Sequence, residues 1–145
     1  MSKADAAVKF HEHYNCAMSV IAAYAADYGL ELDKALAVSV GFGAGMGRVQ
    51  ETCGAVTGAI MVLGLASRFK EGDDRSKINA VYPKVHRFID EFKKEMGSAK
   101  CRDLLKCDLS TEEGQKIFKE KNLREDSLKY VRPSCEMLDK YLAEK

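Results

Sequence analysis

Residues 51–65 read ETCGAVTGAIMVLGL, and the reading of this stretch decides the fold class. It lies in the longest uncharged run of the chain, Thr52 to Ser67, 16 residues that show no two-residue alternation of apolar and polar side chains. A bilayer span needs roughly 20 consecutive apolar residues, so a run of this length that contains glycine fits a buried core helix. Thr52 is a suitable N-cap for that helix, which is expected to reach about Phe69, and Cys53 falls in its first turn.

Working outward, GFGAGMGR at 41–48 places glycine at 41, 43, 45 and 47 and predicts a loop. Ala4, Ala7, Val8 and Phe10 recur at helical intervals, and Asn15 can cap a second helix that continues to Gly29, so two helices should join near Tyr14 and Asn15. Asp33 can cap a short helix through Val40. After the polar EGDDRS stretch, Ile78, Val81, Val85, Phe88, Ile89 and Phe92 form the buried stripe of a long helix ending at Gly97. Ser98 can cap AKCRDLLK, Ser110 with Glu113 suggests a capping box opening STEEGQKIFKEKN, and SCEMLDKYLAEK closes the chain. With only Pro83 and Pro133 as breakers, the expectation is all-α: a single-domain bundle of about six or seven helices over residues 1–145.

A chain of 145 residues can bury a core without disulfide staples, and 46% hydrophobic against 31% charged residues excludes disorder. Lys plus Arg number 23 and Asp plus Glu 22, which leaves no global attraction to nucleic acid or anionic membrane, so neither nucleic-acid binding nor membrane insertion is expected. The N-terminus MSKADAAVKFHEHYNC carries charges and histidines where a secretory signal has its apolar stretch, which points to a cytoplasmic protein. Five cysteines in a reducing compartment read as buried apolar residues, metal ligands or redox groups rather than structural disulfides.

Cys16 follows the cap Asn15 as Cys53 follows Thr52, so both fall where free backbone N–H groups and the helix dipole favour thiolate. The alternative is that both are small buried hydrophobes. Gly54 and Gly58, beside Ala55 and Ala59, allow close approach of another backbone; packing within the chain is favoured, and a homodimer face is the other use of that surface. Cys101 and Cys107 are six apart and would face different sides of one helix unless it breaks near Lys106, so their spacing is a weak metal signal. Cys135, next to Met137 and Leu138, reads as a core or surface thiol. His11 and His13 can supply ligands or a base to Cys16 but more often such histidines are solvated, and His86 reads as structural. The glycine loop misses the G-x-G-x-x-G spacing and follows no strand; its expected role is to bring backbone close to Cys53, with Arg48 a positive neighbour.

Three blocks, YNCAMSVIAAYAADYGL, GFGAGMGRVQETCGAVTGAIMVLGL and CRDLLKCDLSTEEG, occurring in order from about Val8 to Gly114, resemble the C_GCAxxG_C_C family. That family is described as redox-active, is predominantly helical, and resembles a domain of split-Soret cytochromes associated with an iron–sulfur cluster. The resemblance implies that its first three cysteines are Cys16, Cys53 (in C-G-A-V-T-G) and Cys101; Cys107 fits the order of the fourth, while nearer the last helix this chain has Ser127 and Cys135.

Two redox readings follow. In one, Cys16, Cys53, Cys101 and Cys107 carry thiol–disulfide exchange with a redox partner whose identity the sequence does not give. In the other, the same four sulfurs hold an iron–sulfur cluster, with Gly43, Gly45, Gly47 and Gly54 as the backbone positions around the cofactor. A reading of another class is a non-catalytic helical binding module with buried cysteines.

Overall fold

A computed structural model describes residues 1–144; Lys145, the last residue of the closing segment, lies outside them. Among the described residues the chain forms nine α-helices and no strand: α1 (Lys3–Phe10), α2 (Cys16–Tyr24), α3 (Leu32–Ser39), α4 (Gly54–Ser67), α5 (Arg75–Met96), α6 (Cys101–Leu105), α7 (Glu112–Glu120), α8 (Leu123–Asp126) and α9 (Leu128–Ala143). Seven of these have eight residues or more; α6 and α8 are single turns. The only extended pairing among them is an antiparallel bridge between Thr52 and Lys100.

The uncharged run forms the centre. Gly54, Ala55, Val56, Gly58, Ala59, Val62 and Leu63 of α4 are all buried, because α2, α5 and α9 pack around it. Gly58 makes this possible on the α2 side: a Cβ there would stand 2.8 Å from the Ala17 carbonyl oxygen and 2.9 Å from Val20 Cβ. The small-residue face is therefore used inside the chain, not as a dimer face. Across α4, the Ser134 hydroxyl of α9 donates to the Ala55 carbonyl at 2.6 Å, and the Tyr24 hydroxyl of α2 donates to Asp139 of α9 at 2.7 Å. Phe88 and Phe92 of α5 are fully buried, Phe88 edge-on to Tyr141 with centroids 5.5 Å apart.

Asn15 caps α2 by accepting from the Met18 N–H, Asp74 caps α5, and Gly97 ends it with a φ of 92°. Several boundaries differ from the sequence reading. Glu31 precedes α3 instead of Asp33, and Thr111, accepting from the Gly114 N–H, caps α7 instead of Ser110. Thr52 is drawn into the bridge with Lys100, so Cys53 itself takes the N-cap position of α4; Lys100 likewise replaces Ser98 before α6. The last helix starts at Leu128 and runs through Pro133, which removes one N–H while Tyr130, Val131, Ser134 and Cys135 on either side are buried and hold the helix. His86 is exposed, with Nε2 3.1 Å from an Asp90 carboxylate oxygen, and is a surface side chain and not a structural core residue. No helix of the described residues is long and apolar enough to cross a membrane.

Candidate functional site

The starts of α2 and α4 lie side by side because Gly54 has no side chain: a Cβ there would meet the Ala17 nitrogen at 2.8 Å and Cys16 Cβ at 3.1 Å. Cys16 and Cys53 are thereby neighbours across two helix starts. The bridge adds the third cysteine. The Cys53 N–H donates to the Ala99 carbonyl at 2.7 Å and the Cys101 N–H to the Glu51 carbonyl at 2.6 Å, which sets Cys53 and Cys101 diagonally on one face of the bridge. Gly45 closes over Cys101, since a Cβ there would stand 2.7 Å from Cys101 Cβ and 2.6 Å from Gln50 Cα. Cys16, Cys53 and Cys101 all open on one cavity of about 790 Å³.

The other two cysteines stand apart from the cavity lining. Lys106, with a φ of 58°, does break the helix as the spacing required, but Cys107 ends half-buried in the turn beyond it. Cys135 is fully buried in α9 beneath Tyr24, whose hydroxyl donates to its carbonyl at 3.1 Å.

His11 and Ser127 line the same cavity. His11 is only 3% exposed, with Nε2 3.6 Å from Cys16 Sγ and 3.0 Å from the Ser127 hydroxyl. The Cys16 thiol also donates to Ser127 at 3.4 Å, so imidazole, hydroxyl and thiol form one triangle. Burial, with the Arg124 guanidinium adding to it, pushes the His11 pKa down to about 4, leaving a neutral ring at pH 7. Gln50, 3% exposed, clamps the chain beyond α6: its Nε2 donates to the Cys107 carbonyl and its Oε1 accepts from the Leu109 N–H, both at 2.8 Å.

The thiols are not activated by the helix ends. Burial, reinforced by the nearby Cys16 sulfur, pushes Cys53 up to about 12 even though the Ala55 and Val56 amides favour the anion. Burial and the same neighbour push Cys101 up to about 11, and burial raises Cys16 as well. An amide dipole at the first turn is worth up to ~2 kcal/mol, which is less than the loss of hydration in an enclosed site. The expectation of a depressed Cys53 pKa is therefore reversed.

The iron–sulfur cluster is also overturned. Among the described residues no three His, Cys, Asp or Glu side chains are grouped so as to hold a metal ion, and the proposed fourth ligand, Cys107, lies off the cavity. Three of the four glycines assigned to that cofactor accommodate the protein's own atoms instead. Gly43 makes room for the Asn15 side chain, whose Nδ2 would stand 2.6 Å from a Cβ; Gly45 faces Cys101 rather than Cys53, Gly54 faces Cys16, and Gly47 meets nothing within 4 Å.

The sequence profile described as "Putative redox-active protein (C_GCAxxG_C_C)" matches residues 14–144. The chain belongs to this family. No curated protein and no solved structure matches it. The C_GCAxxG_C_C match extends past Gly114 to take in α9, with Ser127 and Cys135, and it begins three residues after His11. His11 thus adds to the family cysteines a group from outside the matched region.

Of the cysteines singled out from sequence, Cys16, Cys53 and Cys101 line one cavity and Cys107 and Cys135 do not. His11 was weighed against a solvated role and is buried; His13 is exposed. Gln50 gave no signal, since its importance lies in contacts to residues 57 and 59 positions away. Ser127 entered only as a position near the last helix, and its link to Cys16 spans 111 positions.

Proposed function

We propose that the protein is a thiol–disulfide redox protein whose working set is Cys16, Cys53 and Cys101, with His11 as proton acceptor. The observation that carries this reading is the convergence of three family cysteines on one cavity with the Nε2 of a neutral histidine 3.6 Å from one of them. Cys16 is the attacking thiol, because it alone of the three touches His11.

In the forward direction the Cys16 S–H proton moves to His11 Nε2 in step with attack of the sulfur on one sulfur of a disulfide R–S–S–R′, because a ring with a pKa of about 4 does not take the proton of an unreacted thiol. A bond forms between Cys16 Sγ and RS, and R′S⁻ leaves, taking the proton from His11. Cys53 or Cys101 then attacks Cys16 Sγ as thiolate, its proton going to the departing RS⁻. The protein has lost two thiols and gained one disulfide, and the substrate has become RSH and R′SH. Each unit by which a thiol pKa stands above the ambient pH costs about tenfold in thiolate and returns only about threefold in nucleophilicity, so these buried thiols depend on removal of the proton in step with attack.

The test is trapping. A Cys53→Ser, Cys101→Ser double variant treated with bis(2-hydroxyethyl) disulfide should accumulate a mixed disulfide on Cys16 by mass spectrometry, and His11→Gln should slow its formation roughly 10²-fold, the low end of the range for a lost general base. A mixed disulfide confined to Cys107 would remove the assignment.

A further inference from the structure

Resting on that reading, we infer that the site accepts low-molecular-mass disulfides that carry negative charge, recognised by cations on the cavity wall. The chain as a whole balances its charges, 23 basic against 22 acidic residues. The cavity wall does not: Arg48, Lys119 and Arg124 line it, and no Asp or Glu does. None of the three forms an ion pair among the described residues, whereas seven other Lys and Arg side chains do.

Each cation arrives from a different element. Arg48 stands in the loop before α4, where residues 44–48 all have positive φ. Lys119 is in the last turn of α7. Arg124, on α8, is held to the wall by donating to the carbonyls of His11 at 2.6 Å and Tyr14 at 3.3 Å, an arrangement that fixes the guanidinium without neutralising it. Glu125, next to Arg124 on α8, accepts from Asn122 at 2.6 Å and does not line the cavity. Three uncompensated charges around a recess that also contains the thiols create a positive potential at the place of reaction.

The size of the recess limits the substrate. At about 790 Å³ it falls within the 300–1,000 Å³ typical of small-molecule sites. A flexible disulfide bearing carboxylates can place its sulfurs at Cys16 while its charges meet the rim. The chemistry is the exchange already written, with R and R′ anionic.

The experiment uses three disulfides of similar size and opposite charge: 3,3′-dithiodipropionate, bis(2-hydroxyethyl) disulfide and cystamine. The rate of thiol loss from the fully reduced protein is measured for each and divided by the rate with 2-mercaptoethanol, which removes differences in intrinsic reactivity. At low salt the dianion should exceed the dication by roughly 10-fold or more, and the ratio should shrink towards one as salt is raised. Lys119→Glu and Arg48→Glu should lower or invert the ratio, with Lys119→Gln giving a smaller shift in the same direction. Lys94→Glu, on exposed α5 and away from the cavity, should not alter it. Equal normalised rates for all three disulfides, or an equal shift from Lys94→Glu, would overturn the charge selection while leaving thiol exchange intact. If no disulfide consumes Cys16, Cys53 or Cys101, the exchange reading falls, and the substrate class with it.

Discussion

Replacing Gly58 by alanine tests the contact that sets Cys16 beside Cys53. On propensity alone the change should help, since glycine inside a helix costs about 1 kcal/mol relative to alanine. Against that, the new Cβ would lie 2.8 Å from the Ala17 carbonyl oxygen, 2.9 Å from Val20 Cβ and 3.2 Å from Ala17 Cα. Two of these atoms are backbone and the third is the branch point of a fully buried side chain, so relief requires α2 to move away from α4. Overpacking of this kind costs about 1–3 kcal/mol. Gly64 supplies the control on the same helix: it is exposed and a Cβ there meets nothing within 4 Å. Gly64→Ala should stabilise by up to about 1 kcal/mol, and Gly58→Ala should fall below it by about 1–3 kcal/mol. Urea denaturation monitored by circular dichroism measures the difference; with a slope of about 2 kcal/mol/M, 2 kcal/mol moves the midpoint by about 1 M. Gly58→Ala should also slow disulfide exchange, because displacement of α2 carries Cys16 away. If Gly58→Ala is as stabilising as Gly64→Ala, the packing that defines the site is wrong.

Three other outcomes are expected. Alkylation of Cys53 and Cys101 as a function of pH should give midpoints well above the ~8.5 of free cysteine, in line with the raised values of about 12 and about 11; a Cys53 midpoint at or below the free value would restore helix-end activation. His11 should make the fold acid-sensitive. Its folded pKa of about 4 lies below the unfolded value of 6.5, so between these pH values the unfolded chain binds a proton that the folded chain refuses, and stability present above pH 6.5 is lost as pH falls towards 4. The gap corresponds to about 3 kcal/mol, and His11→Gln should flatten that part of the stability curve; an unchanged curve would mean His11 is not buried neutral. Met46, exposed in the loop with a φ of 69°, holds a conformation costly for any side chain, so Met46→Gly should raise stability by about 1 kcal/mol in the same urea assay, and a loss would show that the side chain has a packing role.

The fold was legible because its signals are local. The uncharged run around Gly58, the cap Asn15, the stop at Gly97 and the stripe that includes Phe88 and Phe92 each act within one helix, where propensity and burial agree. Boundaries failed where a distant partner intervened: Thr52 leaves its cap because Lys100 pairs with it, and Pro133 sits inside α9 because buried neighbours hold the helix around it. At the site, the family blocks pointed to Cys16, Cys53 and Cys101, but local sequence carries no measure of depth. A cysteine at a helix start reads as activated, whereas its pKa is set by how much water the rest of the chain removes. The triangle of His11, Cys16 and Ser127 joins α1's end, α2 and the turn before α9, a closure that helical periodicity does not encode.

The central claim is that Cys16, Cys53 and Cys101 act as one unit, and disulfide mapping tests it most directly. The reduced protein is treated with a limiting amount of bis(2-hydroxyethyl) disulfide, remaining thiols are alkylated after unfolding, and the peptides are mapped without reduction. The account predicts one intramolecular disulfide joining two of Cys16, Cys53 and Cys101, with Cys107 and Cys135 recovered alkylated. A disulfide through Cys107 between two chains, with all three cavity cysteines recovered as thiols, would contradict it.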